Sequence, residues 1–175
     1  MNWKNDGKPA PAIELCDGVE LTSFPKLEGA LSAWLEIIST MDEGDPYGIL
    51  GNEEFYKKAM TDMANYRDDK CFFLTVKGTP AATVTVITDD ERRHGYVHMV
   101  CVSSKFRGMG LGKVLSKIAE RELKCEGMET AHLTTDDYRI PAIKTYLSIG
   151  FTPDLDSQPD FKERWEKILK SISAT

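Results

Sequence analysis

The chain has 175 residues, of which 41% are hydrophobic and 29% charged, with a net charge of −6. This balance is typical of one globular domain and excludes a disordered chain. No apolar run approaches the roughly 20 residues that cross a bilayer, and the first residues lack the layout of a secretion signal, so we expect a cytoplasmic protein with no membrane contact. The four cysteines are too far apart for a zinc ribbon or a redox pair, so we expect no metal.

The first part of the chain combines an arm, a strand and two helices. Residues 1–18 are polar and proline-containing, and they are predicted to form an N-terminal arm in front of a domain that spans residues 19–175. Alternating residues then predict a half-buried strand, helical spacing predicts two helices, and a loop rich in glycine and acids separates them. Asn52 can cap the second helix. The ranges are 19–24 for the strand, 27–38 and 52–66 for the helices, and 41–51 for the loop.

The second part alternates between strands and helices. Three strands come first, and the third is nearly all apolar, which favours a central place in a sheet. A long helix to about Cys125, a short strand, a short helix, another strand begun by Phe151 and an amphipathic helix follow. The ranges are 71–76, 81–88, 96–102 and 130–135 for strands, and 140–147 and 161–172 for helices. This order predicts a mixed α/β domain with one central sheet.

A glycine-rich turn joins strand 96–102 to the long helix. Its sequence is Arg107-Gly108-Met109-Gly110-Leu111-Gly112-Lys113. A helix N-terminus presents unpaired N–H groups and partial positive charge, and glycines let the backbone approach phosphate oxygens. The segment from Lys105 to Lys124 is basic in an otherwise acidic chain. That pattern favours a small anionic ligand over nucleic acid, although a tight connection without a ligand would give the same glycines.

Two common phosphate-binding motifs do not fit this turn. The P-loop needs glycine five residues before its Gly-Lys pair and Ser or Thr after it, where this chain has Arg107 and Val114. The dinucleotide fingerprint needs a third glycine where Lys113 stands. These two motifs are therefore excluded for this turn.

The pattern Arg-x-x-Gly-x-Gly after an apolar strand resembles the cofactor motif of the GNAT acyltransferase superfamily. A second segment, from Arg139 to Phe151, resembles that family's Asn-x-x-Ala-x-x-x-Tyr-x-x-x-Gly-Phe, with Arg139 in place of the Asn. The resemblance is strong from Val97 to Phe151. It implies a GNAT-like fold, in which helices flank a central, mostly antiparallel, twisted sheet that splays between strands 96–102 and 130–135 at a β-bulge.

The resemblance also implies an acyl-CoA-dependent acyltransferase. Such an N-acetyltransferase moves acetyl, or another short acyl group, from acetyl-CoA to an amine of a small molecule or peptide by direct attack. The pantetheine arm would pair with backbone groups in the splayed strand, and the pyrophosphate would lie on the turn. The implied cofactor-binding residues are Val100, Cys101, Val102, Arg107, Gly108, Met109, Gly110, Leu111, Gly112, Lys113, Arg139 and Ala142. A non-catalytic acyl-CoA-binding module is the alternative function, and a homodimer is compatible with either.

Two residues are candidates for proton transfer. Tyr146 matches the family's motif tyrosine, and a phenol with a pKa near ~10 suits the protonation of a leaving thiolate. Many relatives place a Glu near the position of His98, and an imidazole with a pKa near ~6.5 can accept a proton at neutral pH. Each could instead be an ordinary core residue. The other base candidates are Glu53, Glu54 and Asp45, while His94 and His132 are less favoured.

Overall fold

The computed structural model describes residues 1–41 and 51–173. One sheet contains six strands in the order β1-β6-β5-β4-β3-β2, and all neighbours are antiparallel except β5 and β6, which are parallel. The strands are β1 (Asn2–Lys4), β2 (Val19–Ser23), β3 (Cys71–Val76), β4 (Thr79–Asp89), β5 (His94–Val102) and β6 (Thr130–His132). The helices are α1 (Ala30–Ile38), α2 (Glu53–Tyr56), α3 (Leu111–Cys125), α4 (Ile140–Ser148) and α5 (Phe161–Ser173). The predicted mixed α/β class with a mostly antiparallel sheet is confirmed.

Helices cover both faces of the sheet and bury one core on each. The core under α3, α4 and α5 includes Leu115, Ile118 and Tyr146, and the core under α1 includes Trp34 and Ile37. Full burial of one such apolar side chain contributes about 1.5–3 kcal/mol, so these stripes hold the helices on the sheet. No helix among the described residues is both long and apolar enough to cross a membrane.

The first residues of the predicted arm belong to the sheet. Trp3 is 4% exposed, and β1 pairs with β6 so that Asn2 lies opposite His132. On its other side Asn2 exchanges two backbone hydrogen bonds with Thr152, of 2.9 and 2.7 Å. The strand alternates an exposed, a buried and an exposed residue. Three residues are too few for a pattern of this kind to be recognised in the sequence.

The second helix is shorter than predicted. The Asn52 side chain accepts from Phe55 N at 2.7 Å, which confirms the predicted cap. The helix then widens into a π-helical turn at Lys57–Thr61 and stops, and Asn65 takes a left-handed backbone conformation with φ of 62°. Asn is the non-glycine residue that best tolerates this conformation, so the chain ends the helix before residue 66. Asp45 and most of the loop predicted at 41–51 lie outside the described residues.

Two strands are shorter than predicted at the edge of the sheet formed by β1 and β6. The strand expected at 130–135 ends at His132, where its pairing with β5 also ends. On the β1 side only Leu133 continues, through backbone hydrogen bonds with Met1. The strand expected from Phe151 is a single bridge between Thr152 and Asn2. Pro153 follows, and proline has no N–H with which to continue a ladder.

A β-bulge in β5 sets the geometry of the site. Thr83 and Thr85 of β4 lie opposite Cys101 and His98, so Met99 and Val100 together oppose one residue. Met99 has a φ of 48°, which is uncommon for a residue with a side chain. The extra residue reverses the alternation of side chains and bends the strand. The bulge and the splayed strands, which the family resemblance implied, are therefore present.

Candidate active site

The gap between β5 and β6 opens into a groove. Pairing between these strands stops at Tyr96 and His132, but β5 continues to Val102. Strand β5, the start of α3 and one side of α4 enclose a cavity of about 570 Å³. An edge of a sheet that lacks its neighbour presents backbone N–H and C=O groups that an extended ligand can pair with.

The turn before α3 lies at one end of this groove. Gly108 and Gly110 have φ of 84° and 76°, a conformation that disfavours any side chain. A Cβ at either position would meet no atom within 4 Å, so the space beside them is open. Among the described residues, none accepts a hydrogen bond from the backbone N–H groups of residues 108–112. Consecutive unpaired donors at a helix start, beside an open groove, form a site suited to a phosphate group.

The turn is fixed to the end of α1. Arg107 Nη2 donates to the carbonyl oxygen of Thr40 at 2.6 Å, and Ser104 N donates to the Thr40 hydroxyl at 3.1 Å. Ser103 N also donates to Ala81 O at 2.9 Å, which ties the turn to β4. Arg107 thus holds the turn in place while it adds positive charge to the groove.

Tyr146 of α4 lies where the groove is deepest. Its side chain packs in the core beside Phe151, with ring centres 6.3 Å apart. Burial raises the pKa of Tyr146 to about 12, a rise that the nearby Arg139 charge opposes. The Tyr146 side chain lines the cavity, although the residue is only 7% exposed. The phenol therefore carries its proton at neutral pH and can donate a hydrogen bond to a ligand.

A second cavity, of about 250 Å³, adjoins the groove. The two share Val100, Ala142 and Tyr146, so the hydroxyl of Tyr146 stands at their junction. Hydroxyl, carboxylate and imidazole groups line the smaller cavity, whereas the groove is mostly apolar. The polar residues that line the smaller cavity are Tyr96, His98, Thr134, Thr135, Asp136 and Arg139.

His98 is held in one orientation in the smaller cavity. Its Nε2 lies 2.7 Å from the carbonyl oxygen of Ala59, which can only accept, so Nε2 carries the hydrogen and Nδ1 is the basic atom. The ring also packs against Tyr96, with centres 4.7 Å apart. Burial lowers the pKa of His98, and the Ala59 hydrogen bond partly opposes that effect. The imidazole is therefore neutral at physiological pH and able to accept a proton.

Arg139 stands at the boundary between the two cavities. Its Nη2 lies 3.1 Å from Asp136 Oδ2, and its guanidinium lies over the ring of Tyr138 at 5.5 Å. It precedes the first residue of α4, so its position is fixed by the helix start. A positive charge here can act on an anion in the groove and on the phenol of Tyr146.

The structure brings nearly all the predicted site residues together. Met109 is the exception, since its side chain is half exposed and does not line the groove, which leaves its backbone N–H as its contribution. Glu53 and Glu54 lie on exposed positions of α2 and line neither cavity.

Sequence analysis missed several lining residues. Tyr96 could have been found from the sequence, because it lies two residues before His98 in the same strand and residues at that spacing share a face. The missed residues are Met41, Tyr96, Val97, Met99, Phe106, Ser116, Thr134, Thr135, Asp136, Pro141 and Thr145.

The groove, the bulge and the glycine turn together define an α/β domain built to hold a phosphate-bearing, extended ligand. Residues 33–151 match the model of the acetyltransferase (GNAT) family. The chain therefore belongs to that family, as the sequence resemblance indicated.

Curated relatives share part of the chain. A mycothiol acetyltransferase from Thermobispora bispora is 28% identical over 150 residues, which are 82% of this chain and 50% of that protein. Another, from Thermomonospora curvata, is 38% identical over 58 residues, which are 33% of this chain and 20% of that protein. The chain thus spans half or less of the length of these relatives.

Solved structures share the fold. A ribosomal-protein alanine N-acetyltransferase from Escherichia coli matches with a TM-score of 0.62 and 21% identity, over 78% of this chain and 79% of that one. A protein from Pyrococcus horikoshii matches with a TM-score of 0.62 and 19% identity, over 80% and 92% of the two chains. At such identities the likeness is one of fold alone.

Proposed function

We propose that this protein transfers an acetyl or other short acyl group from its coenzyme A thioester to the amine of a small molecule or peptide. The observation that carries the proposal is the junction at Tyr146, where a groove with unpaired helix-start amides meets a polar cavity that contains His98. Membership of the acetyltransferase family supports it. Bound acetyl-CoA would supply a thioester that an amine can attack.

The groove residues fit coenzyme A. The N–H groups of residues 108–112 would bind the pyrophosphate, with charge from Arg107 and Lys113. The edge of β5 at Val100–Val102, which lies beyond its pairing with β6, would pair with the amides of the pantetheine arm, as an added strand does. The apolar walls suit the alkyl parts of that arm. Arg139 and Ala142 would border the thioester end.

His98 would act as the base. Nδ1 would take a proton from the attacking amine, directly or through one water, as the new C–N bond forms. The hydrogen bond from Nε2–H to Ala59 O holds the tautomer that this role needs. Since burial lowers its pKa, His98 stays neutral and ready to accept over most of the physiological range.

Tyr146 would stabilise the leaving sulfur. The sequence analysis expected full protonation of the thiolate, but a phenol with a pKa of about 12 holds its proton more tightly than a thiol of about 8.5 does. The hydroxyl therefore donates a hydrogen bond to the sulfur as the C–S bond breaks, and the thiolate takes its final proton from solvent. A hydrogen bond to a charged group contributes about 1.5–3 kcal/mol.

Thiol release with a panel of amines tests the proposal. The panel contains amino acids, amino sugars, polyamines, short peptides and, because of the names of the relatives, the unacetylated form of mycothiol. We expect amine-dependent release of free thiol with at least one class. Tight binding of acetyl-CoA without release for any amine is the result expected of a non-catalytic acyl-CoA-binding module.

A further inference from the structure

A third cavity, of about 540 Å³, lies beyond the small polar cavity and has no part in the roles described above. It is located where β6 ends and α5 begins. Its floor is formed by the apolar side chains of Met1, Leu133, Phe161, Trp165 and Ile168. Of these, Leu133, Trp165 and Ile168 are also core residues. An apolar, partly enclosed space of this size can bury a ring or a short hydrocarbon group.

The third cavity continues from the polar one. Thr134 and Thr135 line both, so the two cavities adjoin at the residues that follow β6. A row of stacked rings follows the same path. Tyr96 of the polar cavity lies 4.5 Å from the ring of His132, and His132 lies 5.0 Å from the ring of His94, both of which line the third cavity. The row thus leads about 9 Å away from Tyr96.

The polar groups at the rim have partners within the protein. Asp154 accepts from the backbone N–H groups of Asp156 and Ser157, and the Met1 ammonium donates to Leu133 O. Arg164 holds Asp137 through two hydrogen bonds, of 2.9 and 3.0 Å. His94 bonds to Thr130 at one nitrogen and to His132 at the other, both at 2.8 Å. Because these charges and donors satisfy one another, the cavity would not select a charged ligand. Its free surface favours an uncharged apolar or aromatic group.

We infer that the third cavity is the distal subsite for the acceptor. The acceptor is then an elongated amine, whose nitrogen lies beside His98 and Tyr146 and whose apolar or aromatic end fills the space beside Trp165 and Phe161. This inference depends on the proposed function. It adds that chain length and a terminal apolar group determine which amines are used.

The test compares phenylalkylamines with one, three and six methylene groups, each alongside the alkylamine without the ring. We expect the longest phenyl compound to have a KM lower by about tenfold or more than its shorter counterparts, since one apolar group in a pocket typically discriminates by that factor. Ser157→Trp places a ring at the rim of the cavity and should remove this advantage while the short amines keep their KM. Asp156→Trp is the matched control, since Asp156 is exposed in the same loop but does not line the cavity.

The possible results separate the two proposals. Equal KM values for short and long amines, or an unchanged preference in Ser157→Trp, would overturn the distal subsite and leave acyl transfer standing. Failure of every amine to release thiol would overturn the proposed function and the acceptor subsite with it. Calorimetry with the longest amine and the coenzyme A-saturated protein adds a readout that does not need turnover, and Ser157→Trp should weaken that binding by about tenfold.

Discussion

The two edges of β5 differ in how completely they are paired with neighbouring strands. Toward β4 the strand is paired from His94 to Val102, with a single bulge, and its side chains are packed in the core. Toward β6 only His94 to Tyr96 are paired, and the remaining residues line the groove or the smaller cavity. The complete edge stabilises the fold, and the incomplete edge leaves backbone groups for a ligand. The bulge at Met99 lies within the part of β5 that extends beyond its pairing with β6.

The largest effect should come from a charge on the turn. Gly110→Asp would place a carboxylate against the proposed pyrophosphate, and two like charges about 4 Å apart repel by about 4 kcal/mol at an effective dielectric constant of 20. We expect acetyl-CoA to bind about a thousandfold more weakly by calorimetry. Gly78→Asp is the control, because Gly78 also has a positive φ and open surroundings but lies in the β3–β4 hairpin, outside the groove. Equal affinities in the two variants would remove the turn from the binding site.

The second largest effect should come from replacing the proposed base, His98. His98→Gln keeps a donor for Ala59 O and loses the basic nitrogen, so kcat should fall by about 10²-fold. In the wild type, kcat/KM should fall as the pH drops through the lowered pKa of His98, below its ordinary 6.5, because protonation removes the base. The variant should lack this acid limb in a pH–rate profile.

A melting series across the same pH range is the control for His98. A histidine whose folded pKa lies below that of the unfolded chain destabilises the fold as the pH falls below about 6.5, since the unfolded chain then binds more protons. The wild type should therefore melt earlier at acid pH, and His98→Gln should show less of this loss. An acid limb that persists in His98→Gln would assign the base to another residue.

Tyr146→Phe should lower kcat by about 10–100-fold. The change removes one hydrogen bond to the developing charge on sulfur, worth about 1.5–3 kcal/mol, and keeps the packed ring. Single-turnover thiol release measures the step directly, and the affinity for acetyl-CoA should change little. Full activity in this variant would mean that the thiolate leaves without the phenol.

Arg139 should give the smallest change. Arg139→Ala removes a partly exposed positive charge at the groove, and we expect acetyl-CoA to bind about fivefold more weakly, because such charges are screened by solvent. Arg139→Lys should recover most of the affinity. A large fall in melting temperature with unchanged affinity would make Arg139 a structural residue, fixed by Asp136 and Tyr138.

Much of this site could be predicted because its signals are local. The glycines, the basic residues and the apolar strand before them lie within one segment, and Arg139, Ala142 and Tyr146 follow at fixed spacing. Two features could not be found in this way. The pairing of β1 with β6 joins residues about 130 positions apart, and the orientation of His98 depends on the backbone carbonyl of Ala59, 39 residues earlier in the chain. The division of the chain at residue 18 stays a prediction.

The central claim is that acetyl-CoA occupies the incomplete edge of β5 and the turn before α3. Backbone NMR of the protein during an acetyl-CoA titration tests this claim most directly, residue by residue. We expect the largest amide shift changes at Gly108–Gly112 and Val100–Val102, and small ones at the paired strands β3 and β4. Shift changes that concentrate around His94 and Arg164, with the turn unmoved, would contradict the account.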